Sequence, residues 1–129
     1  MKIEFLPLSQ MSSLEENDVK WLVIAGEKLV SPLEWVQKAL AGECAIHRIS
    51  GEAEGIIVLA KIGDELHVEG FAGKGLIKHF PEAYRQIRLI AASCGASKIV
   101  GWVHRKGIEK LYRTHTKGKP GPTLWSEEI

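Results

Sequence analysis

The sequence is short of cysteine, of long apolar runs and of net charge, and each shortage excludes a class of protein. Its two cysteines, Cys44 and Cys94, lie far apart without CxxC spacing, which argues against a secreted disulfide framework. The apolar runs at residues 21–26 and 55–60 are much shorter than the roughly 20 residues needed to cross a bilayer. These features predict a protein of the reducing cytoplasm, with no membrane anchor.

The charges nearly cancel, because 17 Lys and Arg residues face 16 Asp and Glu residues, for a net charge of +1. A domain that coats nucleic acid is normally far more basic, so we do not expect a nucleic-acid partner. The 129 residues, of which 45% are hydrophobic and 26% charged, match the size and composition of one folded domain. We therefore expect a single domain over residues 1–129, ending in a Gly/Pro/Lys-rich segment at residues 117–129.

Hydrophobic alternation predicts five strands in the first hundred or so residues. The predicted strands cover residues 2–8, 44–50, 55–62, 65–71 and 98–104. The second to fourth form an antiparallel meander with a hairpin turn at Gly63-Asp64. Residues 56–60 are apolar at every position, which indicates a central strand covered by helices on both faces. A helical crossover makes the strands at residues 65–71 and 98–104 parallel neighbours, so the sequence predicts a mixed-sheet α/β fold with αβα layers.

Four helices are predicted between these strands. Ser12 or Ser13 caps the first, which carries Val19, Leu22, Val23 and Leu29, and a capping box at residues 31–34 opens the second, which Gly42 stops. The third is the longest and ends at Gly95. A short fourth helix, after Gly107, carries Ile108, Leu111 and Tyr112. The histidines show no metal-ligand spacing, so we expect no metal site.

The order of these elements resembles that of the GNAT superfamily of acyl-CoA-dependent N-acetyltransferases. In that family a strand runs into the motif Arg/Gln-x-x-Gly-x-Gly/Ala, and residues 66–76 here read Leu-His-Val-Glu-Gly-Phe-Ala-Gly-Lys-Gly-Leu. Residues 92–95 and 108–112 correspond to two further signals of the family. With Arg105-Lys106-Gly107 before the last helix, the sequence is most similar to small GNAT-like proteins of tailed phages and prophages.

The resemblance implies acetyl-CoA as co-substrate and an amine acceptor, on a small molecule or a protein. Backbone amides around the Gly-rich turn would hold the CoA, since glycine lets the chain approach a pyrophosphate closely. The residues implied in cofactor binding are Val68, Gly70, Phe71, Ala72, Gly73, Lys74, Gly75 and Leu76. Tyr112 would be the catalytic acid, and Glu69 or His104 the base. An ordinary strand-to-helix turn, a tyrosine at a helix rim, a solvated glutamate and an exposed histidine remain alternatives.

Three features depart from the family pattern. Gly70 stands where the family has Arg or Gln, and Pro81 predicts that the third helix breaks or starts between Leu76 and Pro81. The C-terminus has room for one strand, at residues 122–127, where the family usually has a pair. From the family we also expect a V-shaped gap between residues 68–70 and 101–103, which would take the pantetheine arm.

A second hypothesis is therefore a catalytically inert GNAT-fold protein with a binding, assembly or structural role. The basic stretch at residues 105–119 and Trp125 would then form its contact surface. Its partner would be a second copy of the chain or a component of a phage particle, found in the host cytoplasm or the virion.

Overall fold

The computed structural model describes residues 1–7, 14–27, 29–102, 119–120 and 124–128, with the backbone alone at residues 102, 119–120 and 124–126. Its strands are β1 (Lys2–Phe5), β2 (Ala45–Ser50), β3 (Glu54–Ile62), β4 (Glu65–Lys74), β5 (Lys98–Trp102), β6 (Lys119–Pro120) and β7 (Leu124–Glu128). They form one seven-stranded sheet in the order β1-β2-β3-β4-β5-β7-β6. Only β4 and β5 pair in parallel, and all other neighbours are antiparallel. The predicted mixed sheet and its parallel pair are confirmed.

Helices cover both faces of the sheet. They are α1 (Glu16–Gly26), α2 (Pro32–Leu40) and α3 (Leu76–Ser93). Side chains of the central strand β3 alternate between the two faces, because successive residues of a strand point in opposite directions. Ile56, Val58 and Ala60 pack with α1 and α2, whereas Ile57 and Leu59 pack with α3. The all-apolar run is therefore buried on both sides, as predicted.

The predicted N-cap of the second helix is confirmed, whereas that of the first helix is wrong. The predicted Ser31 cap of α2 is confirmed, since the Glu34 amide donates to Ser31 Oγ at 3.2 Å, while the Glu34 carboxylate accepts from the Ser31 hydroxyl and not from its amide, so the capping box is half formed. For α1 the predicted serine cap is wrong, because Glu15 is the N-cap and its amide donates to Asp18 Oδ2 at 2.9 Å. Asp18 is 2% exposed and also accepts a bidentate pair of hydrogen bonds from Arg48 of β2. Leu29 lies beyond the end of this helix.

Pro81 does not interrupt α3, so the predicted break between Leu76 and Pro81 is wrong. A proline lacks the N–H that would bond to the carbonyl four residues earlier, which here belongs to Ile77. Ile77 is 76% exposed and Pro81 is exposed as well, so that carbonyl lies on the solvent face of the helix, where water can bind it. Within the described residues, no helix is long and apolar enough to span a membrane.

The C-terminal residues supply two strands, so the expectation of a single one is wrong. β7 lies between β5 and the short β6, and its Glu127 is 5% exposed beneath α3. Arg88 donates to both carboxylate oxygens of Glu127, at 3.0 and 3.1 Å, and the Tyr84 hydroxyl donates to Oε1 at 3.0 Å. This cluster, in which Tyr84 and Glu127 are buried and Arg88 is partly exposed, holds β7, and through it β5, against α3.

Candidate active site

The pairing between β4 and β5 stops halfway along β4. It runs from Glu65 opposite Lys98 to Val68 opposite Gly101. β4 then continues to Lys74 paired only with β3, in the part of the sheet that the structure describes. Val68 and Gly101 are still paired, so the predicted gap does not include them and can begin only beyond this pair. Residue 103, at its far end, lies outside the described residues.

A β-bulge at Glu69 stands at the mouth of this opening. Val58 of β3 lies opposite Gly70, and the next residue, Leu59, lies opposite Val68, so Glu69 is the extra residue of β4. Such an extra residue disturbs the ladder and re-aims its own side chain. Glu69 has no register partner on β3 or on β5 within the described residues. Its peptide groups therefore lie where the sheet opens.

The Glu69 side chain faces a cleft on the sheet face that carries α1 and α2. The cleft has a volume of about 500 Å³ and is lined by Lys38, Glu43, Ala60, Lys61, Ile62, Gly63 and Glu69. Lys38, in the last turn of α2, and Glu43, after the helix ends at Leu40, form one side of its lining. Burial raises the pKa of the nearby Cys44 thiol to about 11, and the charge of Glu69 contributes to that rise. A thiol with this pKa is a poor nucleophile near neutral pH.

The N-terminus of α3 lies at the end of β4, beyond the opening. Gly75 is its N-cap with φ +78°, a left-handed conformation that favours glycine. No side chain caps the helix, and its first turn contains no acidic residue. The amides of residues 76–78 have no partner within the helix, and together with the helix dipole they attract anions. Lys78 and His79 add basic groups nearby.

The glycines before α3 do not form the continuous turn that the sequence suggested. Gly73 and Lys74 still belong to β4, opposite Gly55 and Glu54 of β3. A Cβ on Gly73 would lie 2.8 Å from the Gly55 Cα and would also overlap the Glu54 carbonyl oxygen. Glycine at residue 73 is thus required by the close approach of two strands, and only Gly75 has the turn conformation.

The structure leaves no room for a side chain at Gly70, the position at which the family motif has Arg or Gln. A Cβ on Gly70 would lie 2.9 Å from two ring atoms of Trp35, which is 2% exposed in α2. The side chains of Val68, Phe71, Ala72 and Leu76 are buried in the two cores. Along this segment a ligand could therefore contact mainly backbone groups, with Lys74 as the exposed side chain.

The structure places one of the three predicted catalytic residues, Glu69. Tyr112 and His104 lie outside the described residues. The sequence did not point to Lys38 and Glu43, which line the cleft with Glu69. The sequence shows only that these two residues lie near the end of the predicted second helix. It does not show that this end of the helix lies close to Glu69. No cluster of three His, Cys, Asp or Glu side chains able to hold a metal ion occurs among the described residues.

Solved structures with the same architecture identify the fold. An IAA acetyltransferase from Bacillus cereus matches with a TM-score of 0.64 and 14% identity, over 99% of each chain. PaiA N-acetyltransferase from Thermoplasma acidophilum, solved with coenzyme A, matches with a TM-score of 0.60 and 14% identity, over 100% of each chain. The chain has the GNAT fold.

A third match with the GNAT fold is a structure of the AtaT–AtaR complex bound to DNA, with a TM-score of 0.65 and 10% identity over 99% of this chain and 94% of the other. No protein-family model and no curated protein matches the chain. At 10–14% identity these structures show the GNAT architecture alone. The similarity to phage proteins stays a prediction.

Proposed function

We propose that the protein is an N-acetyltransferase that moves the acetyl group of acetyl-CoA to an amine by direct attack. One observation carries the proposal. The bulge at Glu69 coincides with the end of the β4–β5 pairing and faces the cleft beside α2. The opening between the strands could hold the acyl donor, and the cleft could hold the acceptor. Glu69 lies next to both.

The described residues fit a CoA ester through their backbone. Residues 69–72 lie along the opening and can hydrogen-bond the amide groups of the pantetheine arm. The N-terminus of α3 has no acidic residue in its first turn and no side-chain cap, which suits the pyrophosphate, and Lys74 can contribute a positive charge. Support also comes from the GNAT fold, since the matching PaiA structure contains coenzyme A. When bound, acetyl-CoA supplies the reactive thioester carbonyl.

The protein's part in the reaction is to move two protons. Glu69 accepts a proton from the acceptor amine, directly or through a water, so that the nitrogen lone pair can attack the thioester carbon. The new N–C bond forms and the C–S bond breaks. Tyr112 then gives its proton to the departing thiolate. His104 is the alternative base, and both residues keep the roles implied by the family resemblance.

A non-catalytic binding role is the second candidate. Gly70 lacks the long polar side chain of the family motif, and one structural neighbour belongs to an AtaT–AtaR complex bound to DNA. Such a protein would use the fold for contacts with a partner and would not need acetyl-CoA.

One set of measurements separates the two. Acetyl-CoA is titrated by calorimetry and by thermal shift, where a ligand at about 100 times its Kd adds roughly 2.7 kcal/mol to stability. Thiol release is then followed with a panel of amines. Glu69→Gln should lower kcat about 10²–10⁴-fold, the usual contribution of a general base, with the melting temperature unchanged. Glu65→Gln, at the paired end of the same strand, is the matched control and should keep its rate.

The enzyme proposal fails if millimolar acetyl-CoA gives neither heat nor a thermal shift. If acetyl-CoA binds and reacts but Glu69→Gln keeps the full rate, Glu69 is not the base.

A further inference from the structure

The cleft beside Glu69 has a charge pattern that selects among amines. Lys38 stands at the last turn of α2 and Glu43 follows the helix, and the two share the cleft with Glu69. The Glu43 amide donates to the Lys38 carbonyl at 2.8 Å, which anchors the connecting loop to the end of the helix. Lys38 and Glu69 thus come from separate, well-packed elements that hold their backbones in fixed positions around one opening.

Lys38 is the cation that the cleft offers to a ligand. No ion pair joins it to Glu43 or Glu69 among the described residues, although all three charges act on the Cys44 thiol. Lys61 also lines the cleft, but its charge acts on Asp64 in the hairpin. Arg48, on the same sheet face, is by contrast paired with Asp18. Lys38 is therefore a cation next to the proposed base that has no carboxylate partner in the described part of the chain.

The floor of the cleft is apolar. Ala60 is buried, and Ile62, two residues further along β3 and on the same face, is 55% exposed. An acceptor seated there would lie among the carboxylates of Glu43 and Glu69 and the cations of Lys38 and Lys61, above an aliphatic surface.

We infer that the acceptor is a small amine that also carries a carboxylate, such as an aliphatic amino acid, and that Lys38 binds this carboxylate. The inference rests on the proposed acetyl transfer. The amine nitrogen forms the N–C bond as the C–S bond of acetyl-CoA breaks, and its proton passes to Glu69. Lys38 takes no part in these steps, and it holds the substrate so that the amine faces Glu69.

Three acceptors of the same shape test this inference: leucine, leucinamide and isopentylamine. Leucine should have the highest kcat/KM, because the other two lack the carboxylate. Lys38→Met keeps the length of the side chain and removes its charge. It should raise the KM for leucine by about tenfold to hundredfold, as expected for the loss of a hydrogen bond between charged groups, and leave its kcat unchanged. The KM for isopentylamine should not change.

A purely structural role for Lys38, such as stabilising the C-terminus of α2, would change the KM values of all three amines together. That result would overturn the inference, as would equal use of leucine and leucinamide by the unaltered protein, and the proposed acetyl transfer would survive both. Lys20→Met, on the exposed face of α1 and outside the cleft, is the matched control and should behave like the unaltered protein. If none of the three amines is acetylated although acetyl-CoA is consumed with another amine, the inference is wrong and the transferase remains. If acetyl-CoA does not bind at all, both proposals fail.

Discussion

The two halves of β4 belong to one strand but have different surroundings. Residues 65–68 pair with a strand on each side and bury Leu66 and Val68 beneath α3. Among the described residues, 70–74 pair with β3 alone, and the unpaired bulge residue Glu69 marks the border. A single extra residue thus separates a segment that stabilises the fold from one that is open to a ligand. Substitutions in the two halves should therefore have different effects on stability and on binding.

Leu66→Ala should give the largest loss of stability. Leu66 is 3% exposed in the paired half, and truncation of a buried leucine usually costs about 2–5 kcal/mol. The free energy of unfolding in urea measures this, and the affinity of the folded protein for acetyl-CoA should stay unchanged. Lys74→Ala, at the exposed end of the open half, should change stability by less than about 0.5 kcal/mol. Equal losses in the two variants would contradict the division of β4.

Gly73→Val tests whether glycine is needed at this position for the packing of β3 against β4 or only for the binding of a ligand. If Gly73 served only a turn that holds the CoA, a larger residue would block acetyl-CoA without unfolding the protein. The structure predicts instead a loss of about 1–3 kcal/mol, because the new side chain would collide with the backbone of Glu54 and Gly55. Lys74→Val places the same residue at the next, exposed position and should be almost neutral. A Gly73→Val protein of unchanged stability that has lost acetyl-CoA binding would restore the earlier interpretation.

Gly70→Ala should reveal a coupling between β4 and α2. The added methyl group would lie 2.9 Å from the Trp35 ring, so the variant should be destabilised. Trp35→Leu should relieve the overlap, and the two changes should couple by roughly 0.5–3 kcal/mol in a double-mutant cycle. Leu89→Ala, on the exposed side of α3, should combine additively with Gly70→Ala. An additive result for Gly70 and Trp35 would mean that the tryptophan does not explain the glycine.

These positions also show how far the sequence could predict the fold. Local signals were sufficient for the Ser31 cap, the Gly63 turn, where φ is +61°, and the parallel pair of strands, because each depends on residues close in the chain or on the length of a connection. The bulge at Glu69 could not be predicted, since a one-residue shift in register depends on how two strands face each other.

The predictions made from Gly73 and Pro81 were wrong for a related reason. Gly73 has the residue type of a turn but serves the close packing of two strands, and Pro81 has the residue type of a helix break but lies on a solvent-exposed face. In both cases the surroundings, rather than the residue type, decide the conformation. For the same reason the sequence did not indicate Lys38, because its position beside Glu69 depends on where α2 ends above the sheet.

The reactivity of the Cys44 thiol can report the charge of Glu69, and this is the smallest of the expected effects. The pKa of this thiol is raised to about 11, first by burial and then by Glu69, while Lys38 lowers it and Glu43 raises it less than Glu69. Glu69→Gln removes a negative charge, so the pKa should fall and more thiolate should exist at any pH below 11. The rate of alkylation there should rise by a factor of about two to five, the effect of a solvent-screened charge a few ångströms away.

The measurement is the pH profile of alkylation, followed by mass spectrometry in a Cys94→Ser background, because Cys94 is exposed and would compete. The midpoint of the profile separates a change in pKa from a change in access to the buried thiol. Glu43→Gln should move the midpoint in the same direction by less, and Lys38→Met should move it to higher pH. If Glu69→Gln leaves the midpoint in place, the carboxylate of Glu69 does not face the cleft beside α2. The open half of β4 would then not supply the proposed base to a ligand in that cleft.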